Sequence, residues 1–130
     1  MNLKSQSAIE FIILIGAVLF IFISLSLVFQ QNLREKNAEK RNQEVFNLAK
    51  SVQQEIDLAA ISSDGYQRTF TLPSRIIKAD YNVTLIDNFV YIKTLDNRHA
   101  LSLPVKNLSG QIQKGNNIIR KINGTVFLNQ

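Results

Sequence analysis

An unbroken apolar run near the start of the sequence restricts this chain more than any other feature. The run covers nineteen residues, from Phe11 to Phe29, and Ser24 and Ser26 are its mild polar interruptions. As a helix it would be about 28 Å long, close to the thickness of a bilayer's hydrocarbon core. Because a helix that is apolar on every face has no solvated side, it needs lipid or other helices around it. We therefore predict a transmembrane or filament-core helix over residues 6–30.

A carboxylate, that of Glu10, stands directly before the apolar run. At or just inside a membrane boundary, an unpaired ionised group is costly, so it needs a partner or a role. One interpretation is that Glu10 only marks the polar flank of a membrane helix. The residues before it favour a more specific interpretation.

The segment 4–10 has the sequence KSQSAIE and resembles the class III signal of archaeal type IV pilin-like proteins. In that family a short charged leader is cut immediately before a Gln, a Glu is the fifth residue of the mature chain, and the hydrophobic helix follows. The resemblance implies that a prepilin peptidase cuts between Ser5 and Gln6. Glu10 is then the fifth residue of the mature chain.

Two further positions bear on this resemblance, which covers roughly the first thirty residues. Leu14 fits a later Leu of the family, whereas Ala8 stands where the family often has Ser. The resemblance implies a cytoplasmic leader (1–5), a head outside the cell, and assembly of identical or related subunits into a surface filament for adhesion or attachment. In the filament core, Glu10 would meet the amino terminus of an adjacent subunit. The alternative is a non-polymerising single-pass protein, either a minor pilin-like component or an extracytoplasmic binding module.

An ordinary secretory signal would look different. Such signals have an apolar core of about 7–15 residues and a small-x-small cleavage site. Here the run is longer, and the residues after Phe29 begin QQNLR, without an Ala-x-Ala site. We therefore expect the apolar run to be retained in the mature protein.

Residues 31–62 are predicted to extend the same helix, because neither Pro nor Gly occurs from Ala17 to Asp64. After a polar stretch, apolar residues return with helical spacing. They are Val45, Leu48, Ala49, Val52, Ile56 and Ala59. Gly65 suits the left-handed turn that ends a helix.

Short strands are predicted in the head, residues 63–130. The expected strands are Arg68–Leu72, Tyr81–Ile86, Phe89–Leu95, Ala100–Val105, Ile118–Ile122 and Thr125–Leu128. Asp87-Asn88 and Asn123-Gly124 are two-residue hairpin signals. Residues 62–65 and 107–117 are the candidate linkers. The predicted fold class is α+β, with a long N-terminal helix packed through its amphipathic half on a small antiparallel sheet.

Composition excludes several classes of site. There is no cysteine, so neither a disulfide framework nor a thiolate metal site is possible. The lone histidine, His99, is expected to be a surface or turn residue. Because no paired carboxylates, phosphate loop or nucleophile motif is evident, we predict a non-enzyme without cofactor or metal.

The net charge of +5 is concentrated in the C-terminal part, where nine basic residues face four acidic ones from Ser62 onward. No run of Lys and Arg with interleaved aromatic residues appears, so we interpret the excess as a soluble surface and predict no specific nucleic-acid partner. Three sequons occur in the head, at Asn82, Asn107 and Asn123. They are candidate N-glycosylation sites if the head is exported.

Overall fold

The structure is a computed structural model that describes residues 3–130. Side-chain environments are described from residue 6 onward. Met1 and Asn2 of the expected leader, and the side chain of Ser5 at the expected cleavage site, lie outside the described part. The elements are one helix and seven strands: α1 (Leu3–Ile61), β1 (Gln67–Leu72), β2 (Tyr81–Ile86), β3 (Phe89–Thr94), β4 (Ala100–Pro104), β5 (Leu108–Gly110), β6 (Gly115–Ile122) and β7 (Thr125–Leu128). The predicted α+β class, with a long N-terminal helix on antiparallel sheets, is confirmed.

The chain divides into two compact units, residues 1–39 and residues 40–130. The first contains the apolar part of α1. The second contains the remainder of α1 and all seven described strands, so from here on the name head covers residues 40–130 and not only the predicted 63–130.

One stripe of α1 forms the helical side of the core of the head. Val45, Ala49, Val52, Ile56 and Ala59 are at most 2% exposed, and they repeat at alternating intervals of four and three residues. This spacing keeps their side chains on one face of a helix. Complete burial of a side chain such as that of Ile56 contributes about 1.5–3 kcal/mol. The predicted stripe is confirmed, with Leu48 partly buried beside it.

The strands form two sheets instead of the single sheet that we expected. One has the order β1-β6-β7-β5, and the other has the order β2-β3-β4. Alternate residues of both sheets, among them Ile92 of β3 and Ile119 and Leu128 of β6 and β7, join the helical stripe in one core. Because β1 pairs with the distant β6, the local β2-β3-β4 meander remains a separate sheet.

Strand β5 lies inside the expected linker 107–117 and pairs with β7 in parallel. Its three residues are too few to show the two-residue periodicity of a strand. A Cβ atom at Gly110 would lie 1.9 Å from the backbone oxygen of Leu128, so only glycine permits this approach. Parallel pairing therefore depends on a single position that sequence periodicity does not reveal.

Strand β6 begins at Gly115, three residues before the expected start at Ile118. The reason is Asn117, whose side chain is fully buried yet makes four hydrogen bonds. Its Nδ2 donates to the carbonyl oxygens of Gln113 and Gly115, and its Oδ1 accepts from the Gln113 backbone and from Asn129. Full satisfaction removes the usual cost of burying an amide, so a polar residue occupies a core position of a strand.

Both hairpin turns expected from the sequence are present. Asp87 and Asn88 have φ angles of 45° and 65°, and Asn123 and Gly124 have φ angles of 50° and 76°. Left-handed values at both central positions are those of a type I′ turn, which matches the twist of the flanking strands.

The C-terminal end of α1 is held by a residue that is distant in sequence. The helix ends at Ile61, and Gly65 has a φ of 91°, as expected for the turn that follows. The last turn of α1 contains no basic residue. Lys121 of β6 supplies the cation instead, donating from Nζ to the carbonyl oxygens of Ala60 and Ser62 at 2.7 and 2.8 Å. A positive charge at this end of a helix is favourable.

We predict that Val52→Asp unfolds a fragment consisting of residues 31–130. Val52 is 0% exposed, and burying an unpaired carboxylate costs several kcal/mol, comparable to the whole free energy of unfolding of a small domain. Thermal melting followed by circular dichroism measures the effect. Gln54→Asp, at an exposed position of the same helix, is the control and should melt close to the wild-type temperature. A wild-type melting curve for Val52→Asp would contradict the packing described above.

Candidate functional site

The apolar segment Phe11–Phe29 is exposed on all sides. Its large apolar side chains are between 41% exposed, at Ile15, and 73% exposed, at Phe20. By length and composition, this part of α1 is sufficient to cross a membrane. None of its residues belongs to the core of the head, so its apolar surface is free for contacts with lipid or with other helices.

A shallow groove of about 470 Å³ lies on the surface of this segment. Its lining is almost entirely apolar and includes Phe22, Leu25 and Phe29, with Ser26 and Asn32 at its polar points. Ser24 is satisfied within the helix, because its hydroxyl donates to the carbonyl oxygen of Phe20 at 2.8 Å. Grooves between the side-chain ridges of a helix are the places where side chains of another helix pack.

Glu10 and Gln6 lie on the same face of α1, one turn apart. Nε2 of Gln6 donates to Oε1 of Glu10 at 3.3 Å, and both side chains are exposed. The structure thus brings together two of the three residues that the sequence singled out for processing and assembly. The third, Ser5, has its side chain outside the described part. The four-residue spacing of a Gln and a Glu on a helix is a signal from which this contact could have been predicted.

The three sequon asparagines are all exposed and belong to different elements of the head. Asn82 points outward from β2, between the buried Tyr81 and Val83. Asn107 lies between β4 and β5, and Asn123 is the first central residue of the β6–β7 turn. Each side chain is therefore accessible in the folded head.

His99 lies in the turn between β3 and β4, as expected, but it is buried rather than exposed. Its Nδ1 donates to Oδ1 of Asn42 on α1, and its backbone nitrogen donates to Oγ1 of Thr94 at 3.2 Å. The imidazole bonded to the amide of Asn42 joins the turn to the helix, and the backbone bond to Thr94 holds the turn itself. Sequence could not reveal this, because Asn42 and His99 are far apart in the chain.

The same turn carries a carboxylate with a lowered pKa. Thr94 donates its hydroxyl proton to Oδ1 of Asp96 at 2.6 Å, and the backbone nitrogen of Arg98 donates to the same oxygen at 3.1 Å. Arg41 of α1 lies 3.4 Å from Oδ2. The hydrogen bond from Thr94, then that from Arg98, and the nearby positive charges hold the pKa of Asp96 below its ordinary value.

Other basic residues of the head are engaged in structure. Arg68 pairs with Glu55 and Arg75 with Asp80, each at 3.3 Å. The ammonium group of Lys114 lies 4.7 Å from the centre of the Tyr81 ring. Burial raises the pKa of Tyr81. Part of the positive charge of the head is therefore paired with groups of the same chain.

Among the described residues, no three His, Asp or Glu side chains gather into a group that could hold a metal ion. The grooves described on the head are open, and none brings together a nucleophile, a base and an oxyanion donor. Lys121 and Asp64, which tie the end of α1 to the β6–β7 hairpin, were not identified from sequence. Their partners are about sixty residues away, and no short motif marks such a contact.

Comparisons of this chain with protein-family models, with curated proteins and with solved structures find no match.

We predict that Asp96→Asn lowers the stability of the head at neutral pH but not in acid. Because the folded pKa of Asp96 is below its ordinary value, its ionised form stabilises the fold above the unfolded pKa of about 4. That contribution is lost as the pH falls through the folded pKa. The difference in melting temperature between wild type and Asp96→Asn should therefore shrink below about pH 4 and then vanish. Asp87→Asn, the same change in an exposed turn, is the control; a difference for Asp96→Asn that is constant from pH 7 to pH 2 would contradict the mechanism.

Proposed function

We propose that this protein is an archaeal type IV pilin-like subunit. It enters the membrane through residues 6–30, is cut before Gln6 by a prepilin peptidase, and assembles through its apolar helix into a surface filament that serves adhesion or attachment. The observation that carries the proposal is the exposure of the segment Phe11–Phe29 within a helix whose later turns build the core of the head. The helix thus supplies a separate apolar surface in addition to the stripe that folds the head.

Other helices can replace lipid around this surface. Large apolar side chains that are 41–73% exposed lie on every face of this segment. Each helix could therefore contact several neighbouring subunits at once, as a bundle of identical helices requires. A Cβ atom at Gly16 would meet nothing within 4 Å, so no contact in the part of the chain that the structure describes explains this glycine. Small residues on apolar helices allow a neighbouring backbone to approach closely, which supports a helix–helix contact at this level.

Glu10 would fix the axial position of each subunit. Enclosed among apolar helices, its carboxylate would lose most of its hydration, and an amino terminus created at Gln6 of an adjacent subunit would offset that loss. Gln6 already contacts Glu10 within the chain through a hydrogen bond of 3.3 Å. The proposal exchanges this neutral partner for a charged one, which is the stronger kind of hydrogen bond.

The proposed orientation places the leader in the cytoplasm and the head outside the cell. The exposed sequons at Asn82, Asn107 and Asn123 would then be available for glycosylation. Lipid, the peptidase and related subunits are the proposed partners, and the subunit is proposed to act without catalysing a reaction.

A second candidate is a non-polymerising, membrane-anchored protein with the same head outside the cell. It is favoured by the length of the apolar run, which matches a single crossing of a bilayer at about 28 Å. The two candidates differ in whether the carboxylate of Glu10 is accessible to water. At the boundary of an isolated span the carboxylate can reach water, whereas in a filament core it cannot.

We predict cleavage between Ser5 and Gln6 when the full chain is co-expressed with a prepilin peptidase. The product should be lighter by the mass of residues 1–5, and amino-terminal sequencing should begin at Gln6. Expression without the peptidase is the control and should give the uncut chain. Retention of Met1 in protein exposed at the cell surface would contradict this processing.

We predict that Glu10→Gln abolishes filaments without affecting cleavage. The substitution keeps size and polarity but leaves a buried ammonium without its partner, at a cost of about 3 kcal/mol for each subunit contact. Mass spectrometry measures cleavage, and shearing followed by electron microscopy measures filament yield.

The chain offers a matched control for this experiment. Gln31 donates to Glu35 at 3.4 Å across one helical turn, which is the same arrangement as Gln6 and Glu10 beyond the other end of the apolar run. Glu35→Gln should leave filament yield unchanged. Normal filaments with Glu10→Gln would remove the charge-pair mechanism, and absence of wild-type filaments under all conditions would favour the anchored protein.

A further inference from the structure

Two dipeptides of the sequence are chemically labile, and the fold places them side by side. Asp64-Gly65 and Asn123-Gly124 are the only places where an Asp or Asn precedes a Gly. In an Asx-Gly dipeptide the glycine nitrogen can attack the Cγ atom of the preceding side chain and close a five-membered succinimide ring. Glycine favours this reaction because it has no side chain to hinder the approach.

Each glycine nitrogen is engaged in a hydrogen bond to the other loop. The Gly124 nitrogen donates to Oδ1 of Asp64 at 2.8 Å, and the Gly65 nitrogen donates to the carbonyl oxygen of Lys121 at 2.9 Å. In a two-residue type I′ turn, the amide of the second central residue has no partner inside the hairpin. The contact from Asp64 is therefore an addition to the turn and not part of it.

The surrounding contacts hold these two loops together. The Lys121 nitrogen donates to the carbonyl oxygen of Tyr66 at 2.9 Å, and Lys121 Nζ donates to the carbonyl oxygens of Ala60 and Ser62. The segment 60–66 and the β6–β7 hairpin thus share five hydrogen bonds or charge-assisted contacts. We call this set of contacts the latch.

The latch opposes succinimide formation at both dipeptides. The reaction at Asn123 requires the Gly124 nitrogen to give up its proton and turn toward Cγ, and both steps break the hydrogen bond to Asp64. A negative carboxylate beside that nitrogen also disfavours the amide anion that would attack. At Asp64 the corresponding nitrogen is held by a backbone carbonyl.

We propose that the two dipeptides form a mutually protected pair, in which each is shielded from succinimide chemistry by the hydrogen bond that the other loop supplies. When the latch opens, both become modification sites. At Asn123 the Gly124 nitrogen bonds to Cγ, ammonia leaves, and water opens the ring to give Asp or isoaspartate. At Asp64 water leaves on ring closure, and water opens the ring again to give isoaspartate or Asp.

The consequences for the head are specific. Conversion of Asn123 removes the sequon at that position, and an isoaspartate inserts an extra backbone carbon into a turn whose flanking residues, Ile122 and Thr125, are paired. Formation of isoaspartate at either dipeptide therefore prevents the latch from closing in its original register. This inference is independent of the proposed filament, because it concerns the head alone.

The test uses the full chain in detergent, produced in a host without N-glycosylation and incubated at 37 °C in mildly alkaline buffer. Peptide mass spectrometry follows conversion of Asn123, which replaces a side-chain NH2 by OH. Isoaspartate at Asp64 is followed by chromatographic splitting of its peptide at unchanged mass. Asp64→Ala should raise the rate of conversion at Asn123 roughly fivefold, the factor that corresponds to loss of one ordinary hydrogen bond. Asp57→Ala, which removes a carboxylate from α1, is the control and should match wild type.

A second variant separates protection from a change in the turn itself. Lys121→Met removes the contacts of Nζ with the end of α1 but keeps Asp64 in place, so it should raise the rates at both dipeptides. If Asp64→Ala leaves Asn123 at the wild-type rate, the carboxylate does not protect it. A slower rate in Asp64→Ala would assign Asp64 the opposite role, that of a base that assists the reaction, and would overturn the proposal.

Discussion

The burial of one helical stripe against two sheets is the interaction on which the head depends. Val52 and Ile56 are inaccessible to solvent, and residues of both sheets meet them in a single apolar cluster. Each sheet has an apolar face that must be buried against another element, and α1 provides that cover. The C-terminal half of α1 therefore packs against both sheets and fixes their positions relative to each other.

Polar contacts determine where the turns and strand ends lie relative to α1. Lys121 closes the end of α1, the Asp96 turn is held by Arg41 and Asn42, and Asn117 and Asn129 join β6 to the last residues of the chain. Individually, such contacts contribute little at an exposed surface. Their effect is on position, because each one joins segments that are distant in sequence and selects one arrangement among several that would bury the same apolar surface.

Features of the fold that depend on neighbouring residues could be predicted from the sequence, whereas features that depend on contacts between distant residues could not. Some features are specified by residues that are close together in sequence, and sequence analysis predicts them. They are the apolar run, the stripe from Val45 to Ala59 and the Asn123-Gly124 turn. The turn at Ile77-Lys78 was not, although both residues have left-handed φ angles of 42° and 63°. A β-branched residue rarely adopts such a conformation, and here it is imposed by the paired residues on either side of the turn, Ile76 and Ala79. The division into two sheets likewise depends on long-range pairing and could not be read locally.

The same distinction applies to the candidate site. Gln6, Glu10 and the apolar run lie within one stretch of chain, and sequence was sufficient to select them. Lys121, Asp64 and the partner of His99 act across the fold, and no pattern near them indicates what they contact.

The position of β7 has a consequence for the order of events during synthesis. It lies between β6 and β5, so residues 125–128 form an interior strand of the four-stranded sheet. Until these residues have left the ribosome, β6 can pair only with β1 and β5 lacks its neighbour in the sheet, whereas the apolar run emerges about a hundred residues earlier. The apolar run is therefore available for contacts with lipid or with other helices before the four-stranded sheet of the head can be completed.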